Sequence, residues 1–391
     1  MQYRTGRHGE KISILGYGCM RFTRKGGGID LAKAEQEVME AVHAGVNYLD
    51  TAYIYPGSEA AVGEILRRNG CRERVLLATK LPQYLIRSYK GLDRYFDEEL
   101  KRLQTDHVDF YLMHMLSDKS AWEKLEGYGI REWIARKKAD GQIRNIGFSF
   151  HGSTESFLDV LNAYDWDFCQ IQYNYMDETT QAGRRGLEEA ERRGIPVVIM
   201  EPLRGGRLAN HLTDAARQIL TERGEGRSAA EWGLRWLWDQ TGVTCVLSGM
   251  NSLDMVRENC RIAAEAQPHQ LGESEIQLFE ALKQEMAKAN RIGCTGCGYC
   301  QPCPHGVNIP GIFRCYNEIG TDGLSRARHE YIQTTAMRQT STGADACVGC
   351  GKCEQHCPQK IAIRQELKHA ARELETPACR LVRGAYRLFK L

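Results

Sequence analysis

Four ionisable side chains lie at or just after the ends of three successive apolar runs in the sequence. Asp50 and Tyr55 belong to the end of the first run and to the loop after it, whereas Lys80 and His114 end the next two. An ammonium group beside a phenol favours the phenolate, so it lowers the phenol's pKa from its usual value of about 10. The four residues therefore indicate a site for acid–base chemistry, provided that the three runs are neighbouring strands of one sheet.

The cysteines form a second group of residues that could carry chemistry, because eight of the 15 fall in two short runs after residue 290. Three thiolates spaced by two residues can reach three irons of one cube, and the cysteine before the proline serves the other cluster in two-cluster ferredoxins. The spacing predicts two [4Fe–4S] clusters. Two zinc sites are the alternative, but paired zinc ligands leave the third cysteine and the Cys-Pro ending surplus. One cluster is assigned to Cys294, Cys297, Cys300 and Cys357, and the other to Cys347, Cys350, Cys353 and Cys303.

The elements that must position the ionisable residues form a repeating pattern. Helical stretches near 32–44, 58–69, 86–104, 131–140, 154–164, 180–194, 228–241 and 252–264 follow apolar runs predicted as strands at 12–18, 47–52, 75–80, 108–114, 143–150, 168–174, 196–201 and 243–249. Eight strand–helix units predict an α/β fold, the (β/α)8 TIM barrel, in which active sites lie at the C-terminal ends of the strands. The doubly wound dinucleotide fold is rejected, because the stretch that begins Gly16-Tyr17-Gly18 lacks the third glycine of that fingerprint.

The composition changes along the chain and predicts three regions. Residues 1–265 form the barrel, 266–290 a helical connector, and 291–391 a smaller, mostly helical ferredoxin-like domain that ends in a helical tail. The segment between the cysteine runs has helical character, which favours a helical ferredoxin type over a small β-containing one. Cys315 and Cys379, which stand apart from both runs, are expected to be ordinary buried thiols.

Charge and hydropathy exclude several classes of partner. The 52 basic and 50 acidic residues give a formal charge of +2, which provides no field for nucleic acid binding. No run approaches the ~18 apolar residues of a membrane span, and the opening residues have no apolar core of a signal peptide. Clustered cysteines in such a chain indicate metal sites rather than a secreted disulfide framework. We therefore expect a cytoplasmic protein without a nucleic acid or membrane partner.

The barrel region resembles the aldo-keto reductases, and the similarity runs through the whole barrel. The motifs that carry it are Gly18-Cys19-Met20-Arg21, Leu49-Asp50-Thr51-Ala52, Tyr55 with Ser58-Glu59, Ala78-Thr79-Lys80, Asp109-Phe110-Tyr111-Leu112-Met113-His114, Ile146-Gly147-Phe148-Ser149, Gln170-Ile171-Gln172-Tyr173-Asn174 and Glu258-Asn259. The resemblance implies a catalytic tetrad of Asp50, Tyr55, Lys80 and His114. Tyr55 would be the general acid that protonates a carbonyl oxygen as hydride arrives from a nicotinamide. Lys80, held by Asp50, would lower its pKa, and His114 would orient the carbonyl.

The resemblance also implies a binding site for NADP or NAD. It places Ser149 and Gln170 at the nicotinamide carboxamide, with His151 as a substitute for the second carboxamide ligand of the family. It places Glu258 and Asn259 on the adenine side, and the segment with Gly249 and Asn251 along the adenosine phosphate. NADP-preferring members carry a Lys and an Arg where this chain has Gly249 and Met255. The choice between NADP and NAD is therefore open.

Some aldo-keto reductases carry a C-terminal ferredoxin-like domain, so the resemblance covers nearly the whole chain. It implies an NAD(P)-dependent oxidoreductase that interconverts a small-molecule aldehyde or ketone and the alcohol. A second hypothesis is a redox enzyme whose clusters pass electrons between the barrel site, through a flavin, and a ferredoxin or other external carrier. A third is a non-catalytic electron-transfer module, against which the intact tetrad argues.

Overall fold

The computed structural model describes residues 1–294, 300–336, 342–357 and 359–389. It divides into two compact units. The first contains residues 1–208 and 228–273, and the second contains residues 209–227 and 274–391. The domain boundaries after residues 265 and 290 stay predictions.

Eight parallel strands close a barrel in the first unit, as the sequence predicts. They follow one another around the barrel in chain order, and the last pairs with the first. The strands are β1 (Leu15–Gly18), β2 (Tyr48–Asp50), β3 (Leu76–Leu81), β4 (Val108–Leu116), β5 (Ile143–Phe150), β6 (Phe168–Gln172), β7 (Val197–Met200) and β8 (Val243–Ser248). Their residues are almost all buried, as expected for strands that are covered on both faces.

Helices follow the strands and continue into the second unit. In chain order the described helices are α1 (Leu31–His43), α2 (Ser58–Arg68), α3 (Tyr89–Leu103), α4 (Lys119–Glu126), α5 (Ile130–Ala139), α6 (Thr154–Ala163), α7 (Gly183–Arg192), α8 (Arg207–Asn210), α9 (Asp214–Arg223), α10 (Ala229–Trp238), α11 (Leu253–Glu265), α12 (Glu273–Ala289), α13 (Ile309–Thr335), α14 (Lys352–Gln355), α15 (Ile363–Leu374) and α16 (Pro377–Phe389). Each of the eight predicted helical stretches of the barrel coincides with one of them. Among the described residues, no helix combines the length and the apolar character that crossing a membrane requires.

The N-terminal part of the first predicted strand differs from the structure. Lys11–Ser13 pairs antiparallel with Tyr3–Thr5, and only Leu15–Gly18 belongs to the barrel. The interruption has a local cause, because the Ser13 hydroxyl donates to the carbonyl of Leu15 at 2.7 Å. The Ser13 amide donates to the Asn47 side chain at 2.8 Å. The predicted run 12–18 is therefore one strand of a hairpin followed by one barrel strand.

The register of the barrel aligns the residues that matter for the site. Gly18 pairs with Asp50, and Asp50 pairs with Ala78. Ser149 at the end of β5 lies directly beside Gln170 of β6. Because parallel strands end at the same edge, the C-terminal ends of β2 to β6 form one mouth.

The second unit has its own apolar core. The buried residues of α13 and α15, among them Phe313, Tyr331 and Leu367, form one cluster. Cysteines of both runs pack against it, namely Cys294, Cys300, Cys303, Cys347, Cys353 and Cys357. Cys315 and Cys379 are fully buried in the same cluster, which matches their expected role as structural thiols.

Candidate functional site

The loop after β2 holds Tyr55 at the mouth of the barrel. The Tyr55 amide donates to the Ala52 carbonyl at 3.0 Å, and the Ser58 amide donates to the Tyr55 carbonyl at 2.9 Å. Gly57 has φ +80°, a conformation that a residue without Cβ adopts readily, and it starts α2. The Ser58 hydroxyl then donates to the Cys19 carbonyl at 2.9 Å, which ties this loop to the end of β1.

A buried ion pair lies beneath this loop. Lys80 Nζ donates to both carboxylate oxygens of Asp50, at 2.6 and 2.7 Å. It also donates to the carbonyl of Thr51 at 2.7 Å, a backbone contact that no side-chain pattern in the sequence could have revealed. Lys80 and Asp50 are 0% and 3% exposed, so three acceptors surround an ammonium that water hardly reaches.

The phenol and the imidazole complete the group. Lys80 Nζ lies 5.3 Å from the centroid of the Tyr55 ring. The Tyr55 and His114 rings are 6.1 Å apart and nearly perpendicular, at 83°. The structure therefore brings together all four residues of the proposed tetrad.

The pKa of Tyr55 departs from the expectation drawn from the sequence. Burial raises it above the usual value of 10, and the opposing effect of Lys80 is smaller; Asp50 raises it further. The expectation that Lys80 brings the phenol toward neutral pH is thus right in the sign of its contribution and wrong in the net direction. The pKa of Lys80 is lowered by burial, but Asp50 and Tyr55 more than compensate, so that it lies above its usual value and the group stays an ammonium.

His114 is a neutral imidazole. Burial, followed by the charge of Lys80 and the neighbouring His151, lowers its pKa from 6.5 to about 3. Its Nδ1 atom is buried and has no hydrogen-bond partner among the described residues. A neutral imidazole can donate one hydrogen bond and accept one, which is the capacity required to hold a polar substrate atom.

An irregularity in β4 connects His114 to the next strand. The pairing of β4 with β5 shifts between Met113 and Leu116, and Met115 has φ +57°. The Met115 amide donates to the Ser149 hydroxyl at 2.8 Å. Because Ser149 acts there as the acceptor, its own hydroxyl hydrogen remains to be donated.

Gln170, beside Ser149, has the complementary capacity. It is 2% exposed, its Nε2 donates to Met200 Sδ at 3.7 Å, and its Oε1 is buried without a partner among the described residues. Buried carbonyl oxygens are nearly always paired in native proteins. A donor on Ser149 and an acceptor on Gln170, on adjacent strands, match the C=O and NH2 of a carboxamide. His151 lies nearby and contacts Gln181 through Nδ1 at 3.2 Å.

The residues expected on the adenine side lie at the end of β8 and on α11. Asn259 is buried and donates to the Ser248 hydroxyl at 3.0 Å, whereas Glu258 accepts from the Ser228 hydroxyl at 2.7 Å. Gly249 and Asn251 are exposed in the loop after β8. Glu258 is therefore already engaged by α10, and Asn259 fixes the end of the strand.

Two cations near this region have partners within the protein. Arg257 pairs with Glu40 of α1, with Nε 2.7 Å from the carboxylate. Arg204 donates to Asp177 through Nε at 2.8 Å and through Nη2. Neither guanidinium is at present available to a 2′-phosphate.

A cavity of about 340 Å³ in the second unit gathers thiols from both cysteine runs. Pro302, Val307, Ile309 and Leu367 give it apolar walls. The thiols that line it are those of Cys300, Cys303, Cys347, Cys350 and Cys353. The four ligands assigned to one cluster thus all line one cavity, together with Cys300 of the other assigned set. In the other assigned set, Cys294, Cys300 and Cys357 are partly buried, and Cys297 lies outside the described residues.

Two family models match the chain. Residues 14–284 match the aldo/keto reductase family, and residues 293–362 match a 4Fe-4S dicluster domain. The chain is 26% identical over 315 residues to the uncharacterized oxidoreductase YqkF of Bacillus subtilis (strain 168), a match that covers 72% of this chain and 96% of that protein.

Solved structures give the same picture of the barrel. The aldo-keto reductase AKR11C1 from Bacillus halodurans, in its holo form, superposes with a TM-score of 0.60 at 26% identity and covers 72% of this chain and 96% of its own. An aldo/keto reductase from Klebsiella pneumoniae in complex with NADP and acetate superposes with a TM-score of 0.58 at 23% identity, over 72% and 95% of the two chains, which shows the shared fold.

Proposed function

The chain belongs to the aldo/keto reductase family and carries a C-terminal 4Fe-4S dicluster domain, and from this we propose that it reduces an aldehyde or ketone with NADH or NADPH, or runs the reverse reaction. A bound nicotinamide supplies or accepts the hydride. The observation that carries the proposal is the buried Lys80–Asp50 pair beneath the Tyr55 ring, with a neutral His114 beside it.

Tyr55 donates the proton in reduction. Because its pKa is above 10, the phenol is protonated at neutral pH. Protonated Tyr55, the acid that reduction needs, is therefore the predominant form. Proton donation leaves a phenolate, and Lys80 stabilises that anion because its ammonium lies close to the ring. Asp50 and the Thr51 carbonyl hold the ammonium in position.

His114 orients the carbonyl. Its neutral imidazole donates an N–H hydrogen bond to the carbonyl oxygen. It lacks the acidic proton of an imidazolium, so it does not compete with the phenol as the proton donor. Since the pKa of His114 is about 3, this state persists across the physiological pH range.

Ser149 and Gln170 bind the nicotinamide carboxamide. The Ser149 hydroxyl donates to the amide oxygen, and Gln170 Oε1 accepts from the amide nitrogen. Support comes from the unpaired Gln170 Oε1 and from the register that places the two residues side by side. Nothing in the relatives' names or in the described residues of the barrel mouth points to a flavin, so the proposal includes none.

The second unit binds two [4Fe–4S] clusters, which supply one-electron chemistry. Cys303, Cys347, Cys350 and Cys353, which line one cavity together with Cys300, would hold one of them. Cys294, Cys297, Cys300 and Cys357 hold the other. An external carrier such as a ferredoxin is the class of partner that a ferredoxin-type domain suits.

Anaerobically purified protein tests the function directly. NADH and NADPH oxidation would be followed at 340 nm with a panel of aldehydes and ketones, and the cluster absorbance would be recorded in the same samples. Turnover with at least one carbonyl compound is expected. Binding of either nucleotide without turnover of any carbonyl would contradict the proposal. Bleaching of the clusters by NAD(P)H alone would favour the electron-transfer alternative.

A further inference from the structure

Arg21 stands immediately after the first barrel strand, at the end of a short turn of helix formed by Cys19–Arg21. The side chain is exposed, and it forms no ion pair or hydrogen bond with a residue in the part of the chain that the structure describes. The sequence motif Gly18-Cys19-Met20-Arg21 belongs to the resemblance, but nothing in it assigns this arginine a role.

Two glycines on different loops make room for this side chain. A Cβ atom on Gly249, after β8, would lie 2.8 Å from Arg21 Cγ. A Cβ atom on Gly205, after β7, would lie 2.9 Å from Arg21 Nη2. The stem of Arg21 thus runs along the β8 loop, and its guanidinium reaches the β7 loop. Any larger residue at either glycine would displace it.

A dinucleotide bound as proposed must cross this same place. Its carboxamide lies at the ends of β5 and β6, where Ser149 and Gln170 are paired. Its adenine lies near α11, which follows β8. The strands lie around the barrel in the order β5, β6, β7, β8 and β1, so the pyrophosphate that joins the two halves passes over the ends of β7 and β8. Arg21 has its guanidinium at that point.

Two other arginines near this region, Arg204 and Arg257, are paired with carboxylates. Arg204 is bound to Asp177, and Arg257 is bound to Glu40. A guanidinium presents several hydrogen-bond donors in one plane and can bind two phosphate oxygens at once. It also carries a positive charge, which the backbone amides of a loop do not. We propose that Arg21 binds the pyrophosphate of the nicotinamide dinucleotide, an inference that rests on the proposed function.

The test measures dissociation constants for NADH, NADPH and ADP-ribose with the full-length protein, by quenching of tryptophan fluorescence. Arg21→Gln is expected to weaken all three by a similar factor, roughly 10- to 100-fold, since one charged hydrogen-bonding group to the shared pyrophosphate is lost. Arg21→Lys should recover part of the affinity. Arg94→Gln, which removes the same charge from the outer face of α3, should leave binding unchanged.

A second variant, Gly249→Ala, keeps the Arg21 guanidinium but shifts its position. Gly249→Ala should weaken binding of the same three ligands, because the added methyl group displaces the Arg21 stem. Affinity of Arg21→Gln for NADH equal to that of the unaltered protein would overturn the inference. A loss confined to NADPH would also overturn it, because the arginine would then contact the 2′-phosphate. If the unaltered protein binds none of the three ligands, the proposed function itself fails, and the inference with it.

Discussion

Lys80 Nζ lies 2.6 and 2.7 Å from the two carboxylate oxygens of Asp50, and neither side chain has more than a few per cent of its surface exposed. The pair joins two neighbouring strands at the mouth of the barrel. It fixes an ammonium group beside Tyr55. Each of the two charges is tolerated in the interior only while the other is present, because a buried charge without its partner is strongly unfavourable.

Asp50→Asn should destabilise the barrel by about 3–5 kcal/mol, because it leaves the Lys80 ammonium buried and uncompensated. The double variant Asp50→Asn/Lys80→Met removes both charges and should recover much of that loss. Urea unfolding followed by tryptophan fluorescence measures the barrel selectively, since the tryptophans of the sequence all belong to the first unit: Trp122, Trp133, Trp166, Trp232, Trp236 and Trp238. Equal midpoints for Asp50→Asn and the unaltered protein would contradict this account of the pair.

Tyr55→Phe should reduce carbonyl reduction by roughly 10²–10⁴-fold, the usual contribution of a general acid, while NADH and NADPH still bind. The matched control is Tyr53→Phe, which removes a phenol two positions away that donates to Glu98 at 3.0 Å and takes no part in the tetrad. Steady-state rates and dissociation constants for both variants provide the comparison. Normal turnover by Tyr55→Phe would remove this residue from the role of acid.

His114 should make the barrel lose stability on mild acidification. The pKa of a solvent-exposed histidine, as in the unfolded chain, is about 6.5, and that of His114 in the fold is about 3. Between these values the unfolded chain binds a proton that the folded chain does not, so the stabilising effect is complete above pH 6.5 and is lost as the pH falls toward 3.

The variant His114→Gln lacks this titration. Its urea midpoint should therefore fall less steeply than that of the unaltered protein between pH 6.5 and 4.5. The difference in slope corresponds to about 1.4 kcal/mol per pH unit. Parallel pH profiles for the two proteins would show that His114 is not held neutral by the fold.

Glu40→Gln should shift the cofactor preference toward NADPH. It releases Arg257 from an ion pair with a 2.7 Å contact, and a free guanidinium near α11 can bind a 2′-phosphate. The ratio of the dissociation constants for NADH and NADPH is the quantity to measure, and we expect it to rise several-fold. The control is Glu35→Gln, which lies on the same helix as Glu40 and breaks the pair of Glu35 with Arg68 of α2. An unchanged ratio would place Arg257 outside the nucleotide site.

Replacing single cysteines should remove one cluster at a time. Cys303→Ala and Cys350→Ala should abolish the same cluster, because the proposed assignment makes both thiols ligands of one cluster, and Cys294→Ala should abolish the other. Each variant should retain about half of the iron, and the electron paramagnetic resonance spectra of the reduced proteins should separate them into two groups. Cys315→Ala, at a buried thiol outside the runs, should retain all of it. Grouping of Cys303→Ala with Cys294→Ala would contradict the assignment of the ligands.

The barrel strands could be predicted from the sequence because both of their faces are buried. Largely apolar runs such as 243–249 then mark nearly the whole of a strand, here Val243–Ser248. The prediction of one continuous strand over residues 12–18 was wrong, because side-chain contacts of Ser13 and Asn47 interrupt the strand pairing there. A hydropathy pattern does not reveal such contacts. The helices α8 and α9 were not predicted, because the sequence between Arg207 and Arg223 is rich in polar residues and its apolar residues show only a weak helical periodicity.

The composition of the tetrad could also be predicted, but its electrostatics could not. The spacing of Asp50, Tyr55 and Lys80 indicates that an ammonium meets a phenol. It does not tell how much solvent the phenol loses, and that loss decides the direction of its pKa. The contact of Lys80 with the Thr51 carbonyl is equally invisible in a sequence, because every residue has a carbonyl group.

The thiol-lined cavity of the second unit is built from two stretches of chain that are far apart in sequence. Cys303 comes from the first, and Cys347, Cys350 and Cys353 come from the second. A nascent polypeptide therefore lacks the complete set of proposed ligands until residue 353 has emerged from the ribosome. A chain that terminates between Cys303 and Cys347 would carry only one of the four proposed ligands and could not hold the proposed cluster there.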